Sequence, residues 1–159
     1  MSQKPDWVIH LVCNGASCEE CGKVEDSFLP YACNAHTHGM SRYGHMDFQM
    51  VLRCPTKEIG RILNTLGARV RDGERFSAGD MVAGIYEDCY IRLDEYEECE
   101  RKVLRVIIPD KHNRFPEDPD CLEPYTLQRL KTDDLQKKGG GCTCGWRFTR
   151  STMKPIRIT

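Results

Sequence analysis

Two cysteine clusters at opposite ends of the chain constrain its fold more than any other feature. Cys18 and Cys21 stand near the amino terminus, and Cys142 and Cys144 stand near the carboxyl terminus. A glycine follows the second cysteine of each cluster. Two thiolates at such short spacing can point toward one ion, and two such turns can complete a tetrahedral site. A metal ion bound by all four would tie the two ends of the chain together.

These four cysteines predict a structural zinc site, because zinc accepts four thiolates and thiolates suit it in a reducing compartment. Cys13 lies just upstream of the first cluster and could replace one of the four ligands. A disulfide between the clusters and free surface thiols are the two alternatives. The spacing of the cysteines does not choose among these three states.

Length and composition favour one globular domain. The 159 residues are 40% hydrophobic and 30% charged, which is typical of a chain that buries a sizeable core. No targeting signal and no apolar stretch of membrane-spanning length is visible, so we expect a cytoplasmic protein with reduced thiols. The formal net charge of -1 gives no overall attraction for nucleic acid or an anionic membrane. The expected partner is therefore a protein or a small molecule.

Hydrophobic periodicity predicts an α+β fold, with a mostly antiparallel sheet and one main helix packed on it. The helix is predicted after Pro55, which is placed at its first position, and Gly67 is predicted to cap its end. Strands are predicted from alternating or apolar runs, and the last two of them form a hairpin joined by an acidic turn around residues 97–102. They cover residues 7–12, a stretch into which residues 28–33 lead, 48–52, 81–86, 90–94 and 103–108.

The carboxyl-terminal segment differs in composition from the rest of the chain. We assign residues 1–138 to a single α+β domain, with a short helix near its end. Residues 139–159 form a basic tail behind a hinge of three glycines, and we expect the tail to dock back through its cysteine cluster. The tail could pack on its own domain or on a second copy, which would make a homodimer.

Three short motifs resemble those of one known family. Tyr43–Asp47 resembles the aromatic-Gly-His-Pro-acid signature of the bacterial domain-of-unknown-function family 4262. Gly73–Phe76 resembles the Gly-Glu-Arg-Phe element that follows the main helix of that family. Pro109–Asp118 resembles its aromatic-Pro-Asp and Gly-Arg-Phe-Pro-Trp-Asp element. The three motifs occur in the family's order and spacing, over residues 30–120 of this chain.

The chain also departs from the pattern of this family. Met46 stands where the family has proline, Glu117 stands where it has tryptophan, and the segment 34–42 is longer than is typical. Both cysteine clusters lie outside the matched region. The resemblance implies a bacterial protein that shares the fold of this family, and it implies no activity.

Histidines form a second candidate site. If residues 34–38 are extended, His36 and His38 point to the same face of their strand. With His45 beyond a short loop, these imidazoles could bind a divalent metal ion or serve as general acid and base. The alternative is that each histidine hydrogen-bonds the loop in which it lies.

A third candidate follows the strand predicted at 103–108. Asp110 and His112 stand at the end of that strand, where functional side chains often gather, and Arg114 could bind an anionic group. Pro, Asp and Asn are also ordinary turn residues. In that alternative interpretation the segment is a structural turn, and Arg114 pairs with Asp118.

Two hypotheses of function from different classes follow. The first is a non-catalytic binding or interaction domain with a structural zinc site at Cys18, Cys21, Cys142 and Cys144, and we favour it because sites closed by four thiolates are structural. The second is a small metal- or histidine-dependent hydrolase that uses the cluster of His36, His38 and His45, with Asp110 or His112 as a further group. The sequence names neither a substrate nor a partner for either one.

Overall fold

The computed structural model describes residues 5–13, 16–17, 24–25, 28–98, 100–135 and 155–156. In these ranges a twisted mixed sheet carries one long helix, so the predicted α+β class is confirmed. The helix, α1, spans Thr56–Arg71. The strands in chain order are β1 (Val8–Cys13), β2 (Ala16–Ser17), β3 (Val24–Glu25), β4 (Ala32–His38), β5 (Asp47–Leu52), β6 (Met81–Val82), β7 (Ile91–Glu98), β8 (Arg101–Ile107) and β9 (Pro155–Ile156).

The described main sheet has the strand order β6-β7-β8-β5-β4-β1-β9, and β2 and β3 pair with each other outside it. Its neighbours pair antiparallel except β5 and β8, which run parallel. A parallel pair needs a long crossover connection, which here contains α1 and the strands β6 and β7. The prediction of a mostly antiparallel sheet is therefore confirmed, with one parallel pair at its centre.

The two faces of this sheet differ in chemistry. Alternate residues of the strands point toward α1 and form the main apolar core with it. The core side chains of α1 recur at helical spacing, as the sequence predicts; they are Ile59, Ile62, Leu63, Leu66 and Val70. The opposite face carries polar side chains over much of its area, together with a smaller apolar cluster that includes Phe28, Val51 and Leu135.

The predicted ends of α1 are both displaced. Pro55 precedes the first helical residue instead of occupying it, and the helix continues past Gly67 to Arg71. Gly67 lies inside the helix, at the point where Trp7 packs on it. A Cβ atom at Gly67 would lie 2.7 Å from two carbons of the Trp7 ring. The close approach of an aromatic ring, rather than a helix end, accounts for this glycine.

The hairpin of β7 and β8 is longer than its two apolar runs predict. Pairing continues to Glu98 and Arg101, so the acidic run that was expected to form the turn belongs to the strand. In this strand Leu93 and Glu98 are buried, whereas Glu95 and Glu97 are exposed. The extension matters because it places Glu98 on the polar face of the sheet.

Residues 125–135 cover part of this polar face. Two 3-10 helices, Tyr125–Arg129 and Thr132–Leu135, replace the short helix that was predicted there. Arg105 is fully buried beneath them and donates hydrogen bonds to the carbonyl oxygens of Gln128, at 3.0 Å, and Leu130. This segment therefore covers the part of the face around Arg105.

Several predictions concern residues that the structure does not describe. Cys18, Cys21, Cys142 and Cys144 all lie outside the described residues, as do the three hinge glycines, so the zinc site and the domain boundary stay predictions. Of the tail, only β9 is described, and its backbone pairs with β1. None of the described helices is both long enough and apolar enough to cross a bilayer.

Candidate metal centre

Three histidines meet on the polar face of the sheet. His10 in β1 stands directly opposite His36 in β4, and His38 lies two residues further along β4 on the same face. The ring centroids are 5.4 Å apart for His10 and His36, 4.4 Å for His10 and His38, and 4.8 Å for His36 and His38. One ring nitrogen from each histidine can be chosen so that all three lie within 4.8 Å of one another. We call His10, His36 and His38 the histidine centre.

The spacing of the histidine centre is close to that of a metal site. Imidazole nitrogens bound to tetrahedral zinc at about 2.0–2.1 Å lie about 3.4 Å from one another. The nitrogens here lie within 4.8 Å of one another, so they need to approach by up to about 1.4 Å to reach that spacing. No change of strand register is required, because the pairing of β1 with β4 already brings the rings together.

The imidazoles of the histidine centre are held in their neutral form. Burial lowers the pKa of His36 to about 4, although the charge of Glu98 opposes this shift. Burial is also the main cause that lowers the pKa of His10 and of His38, and the positive charge of Arg101 adds to it in both. A neutral ring keeps a nitrogen lone pair available to a metal ion at neutral pH.

Glu98 and Asn34 both contact the ring of His36. Nδ1 of His36 lies 3.2 Å from Oε1 of Glu98 and 3.3 Å from Oδ1 of Asn34. Oε1 of Glu98 also accepts a hydrogen bond of 3.0 Å from Nδ2 of Asn34. Oε2 of Glu98 accepts one of 3.3 Å from Nη2 of Arg101. A carboxylate beside Nδ1 favours the tautomer that carries its proton there, which leaves Nε2 of His36 as the atom that can bind a metal ion.

His10 carries a buried nitrogen that lacks a partner. Its Nδ1 is shielded from solvent and has no hydrogen-bond partner among the described residues. Buried polar atoms are nearly always paired, because burying one without a partner costs free energy. The described part of the chain therefore provides no hydrogen bond for Nδ1 of His10.

A second carboxylate lies beside the centre. Nη1 of Arg101 donates a hydrogen bond of 2.6 Å to Oδ2 of Asp47, and the hydroxyl of Thr37 donates one of 2.8 Å to Oδ1 of the same carboxylate. Thr37 stands between His36 and His38 in β4, and its carbonyl oxygen accepts a bond of 3.3 Å from Nη2 of Arg101. With three neutral histidines, the charges of Asp47, Glu98 and Arg101 leave one net negative charge here, which favours a cation.

His45 does not belong to the histidine centre. The prediction that grouped His45 with His36 and His38 is therefore wrong for His45. Its Nε2 accepts the backbone N–H of Phe76 at 3.1 Å, and its Nδ1 lies 2.7 Å from the carbonyl oxygen of Met46. Its ring packs on Phe48, which belongs to the core beneath α1. Both nitrogens of His45 are therefore engaged by the backbone, as the alternative interpretation expected.

Asp110 is a structural turn residue. It is buried and accepts hydrogen bonds from the backbone N–H groups of His112, Arg114 and Leu122. Burial alone would raise its pKa, but these hydrogen bonds outweigh burial and hold the pKa of Asp110 below its usual range. Arg114 pairs with Asp110 at 3.1 Å, and the predicted pair with Asp118 is wrong. The turn interpretation therefore accounts for this segment.

Comparison of the chain with protein-family models, curated proteins and solved structures finds no match. The resemblance to family 4262 therefore stays a prediction that rests on its three motifs. The histidine centre stands on the geometry of this chain alone, because it needs only the register of β1 and β4 and the position of Glu98.

Proposed function

We propose that this protein is a metal-binding domain that holds one divalent transition-metal ion, zinc in the first place, through His10, His36 and His38. The observation that carries the proposal is the convergence of three ring nitrogens within 4.8 Å on two paired strands. Imidazole suits zinc, copper, nickel and iron. Three histidine ligands therefore indicate a divalent transition-metal ion, and they do not by themselves select one of these metals.

The surroundings of the three rings support this proposal. Metal-ligating histidines usually donate their other N–H to a carboxylate or a carbonyl group, and the carboxylate of Glu98 and the amide oxygen of Asn34 are both placed to accept it from His36. Nδ1 of His10, which has no partner among the described residues, would gain one by binding the ion directly or through a water molecule. The net negative charge of the polar groups offsets part of the charge of a divalent cation.

A second candidate function is metal-dependent hydrolysis. Three protein ligands leave a fourth position of a tetrahedral ion open, which is the pattern of catalytic zinc, whereas structural zinc is closed by four protein ligands. An ion at such a position lowers the pKa of its bound water and makes a nucleophile at neutral pH. This candidate keeps the hydrolase hypothesis of the sequence, with His10 in place of His45.

Metal titration tests the proposed function. Since Cys18, Cys21, Cys142 and Cys144 could also bind zinc, the experiment uses the 159-residue chain with all four replaced by serine. Isothermal titration calorimetry and elemental analysis should give one zinc ion per chain. Replacing His10, His36 or His38 by alanine should weaken binding at least tenfold, because each substitution removes one of three ligands.

His112→Ala is the matched control, since His112 is an exposed turn histidine that bonds Asp110 through its backbone N–H. Its zinc affinity should equal that of the parent chain. Absence of zinc binding, or equal affinity in all four histidine variants, would refute the metal centre. Screening the zinc-loaded chain against simple ester and phosphoester substrates then tests the second candidate, with His38→Ala as the inactive reference.

A further inference from the structure

We infer that the metal-loaded histidine centre binds a small oxyanion, a carboxylate or phosphate group, at its open coordination position, with Arg101 as the second contact. This inference rests on the proposed function and names the class of ligand that completes the same site. It is carried by the position, the exposure and the unused hydrogen-bond donors of Arg101.

Arg101 lies against the histidine centre. Its Nη2 bonds the carbonyl oxygen of Thr37, the residue between His36 and His38, and it also bonds Glu98, which contacts the ring of His36. A ligand bound at the open position of the metal ion would therefore meet a guanidinium group nearby.

The guanidinium group of Arg101 is held in one orientation and has N–H groups that make no hydrogen bond to the described residues. Asp47 and Glu98 hold it from two sides, so it needs little rearrangement to receive a ligand. Its bonds to Asp47, Glu98 and Thr37 use three of its five N–H groups, which leaves two without a partner among the described residues. Its side chain is 29% exposed, whereas that of Glu98 is 3% exposed. Arg101 can therefore reach a ligand that arrives from solvent.

Charge balance selects an anion for the open position. A divalent ion added to the one net negative charge of the empty centre gives one net positive charge. An anionic oxygen ligand neutralises that charge, and its second oxygen can accept an N–H group of Arg101, as carboxylates and phosphates commonly do. His10 and His38 are only partly buried, so the centre is open to a small ligand on their side.

Cobalt provides the test, because the visible absorption of bound Co²⁺ responds to a change of its ligands. The chain with Cys18, Cys21, Cys142 and Cys144 replaced by serine is loaded with Co²⁺ and titrated with sodium acetate, with inorganic phosphate and, as a reference, with sodium perchlorate. We expect a saturable spectral change with acetate or phosphate and none with perchlorate. The relative affinities of acetate and phosphate distinguish a carboxylate ligand from a phosphate ligand.

Two substitutions of Arg101 isolate its role. Arg101→Gln should weaken anion binding at least tenfold, measured for every variant at a Co²⁺ concentration that saturates its histidine centre. Arg101→Lys, which keeps the charge but loses the planar fork, should weaken it at least threefold. Arg92→Gln is the matched control, because Arg92 also bridges two carboxylates, those of Asp94 and Glu117, outside the histidine centre. Circular dichroism checks that each variant is folded.

The outcomes separate this inference from the proposed function. If Co²⁺ binds and neither anion changes its spectrum, the oxyanion inference is overturned and the metal centre stands. If Co²⁺ does not bind, both are overturned. If the folded Arg101 variants bind the anion as tightly as the parent chain does, Arg101 has no part in anion binding.

Discussion

Oε1 of Glu98 lies 3.2 Å from Nδ1 of His36, and both side chains are almost fully buried. Two strands of the sheet, β8 and β5, separate β7 from β4. The pairings place His36 level with Gln49, Arg105 and Asp94, so Glu98 stands four residues further along β7. The contact between Glu98 and His36 is therefore made by side chains across the polar face and not by paired neighbours.

Replacing Glu98 by glutamine should weaken zinc binding by about 10- to 100-fold, because the loss of a carboxylate beside a metal-ligating histidine typically has that effect. The glutamine keeps the size of the side chain and can still bond Asn34. Calorimetric zinc titration measures the change. Glu95→Gln on the same strand is the control, since Glu95 is exposed and pairs with Lys102. Equal zinc affinity in the Glu98 and Glu95 variants would show that Glu98 does not orient His36.

Zinc binding should persist to lower pH than at an ordinary imidazole site. Protons compete with metal ions for imidazole, and an unperturbed histidine with a pKa of 6.5 begins to lose its affinity below that pH. Burial lowers the pKa of all three rings, and that of His36 to about 4. We expect the zinc dissociation constant to change less than threefold between about pH 7.5 and 6.5 and to rise steeply only at lower pH. Titrations across this range measure it, and a steep rise already at about pH 7 would contradict the expectation.

Local patterns of the sequence predict part of this site. Extended residues 34–38 place His36 and His38 on one face, and the structure confirms this. His10 shows the same signal, since it lies between the core residue Ile9 and Leu11 in an apolar strand. Its use as a partner of His36 nevertheless depends on the register of β1 against β4, and a single sequence does not encode that register in any local pattern.

The burial of Glu98 and the position of Gly67 inside α1 were not predicted, for a related reason. Glu98 belongs to an acidic run that is typical of a solvated turn. Glu98 is buried only because the pairing of β7 with β8 continues to it. Gly67 follows an apolar helical stripe, where glycine is a common helix end, and only the tertiary contact with Trp7 reveals its place inside α1. In each case a long-range contact overrides a local preference.

The free energy of unfolding of the metal-free protein should fall as the pH is lowered from about 6.5 toward 4. His36 has a pKa of about 4 in the folded chain and 6.5 as its ordinary value, so the unfolded chain binds more protons between these values. The contribution of His36 to the free energy of unfolding is fully present above the unfolded pKa of 6.5, and it is lost as the pH falls from that value toward the folded pKa of about 4. The loss attributable to His36 between pH 7 and pH 5 is about 2 kcal/mol. Urea denaturation at both pH values measures it, with His36→Asn as the variant that should show a smaller pH dependence; an unchanged pH dependence in that variant would contradict the assignment.

Gly67→Ala should destabilise the protein, although alanine has the higher helix propensity by about 1 kcal/mol. The new methyl group would lie 2.7 Å from two carbons of the Trp7 ring, and the ring is held by a hydrogen bond of 2.8 Å from its Nε1 to Asn64. Overpacking of this kind costs about 1–3 kcal/mol, which exceeds the gain in propensity at all but its lower limit. Chemical denaturation measures the change, and the same substitution in a Trp7→Leu background should be neutral or stabilising because the ring is gone. A Gly67→Ala protein as stable as the parent chain would show that Trp7 does not pack closely on α1.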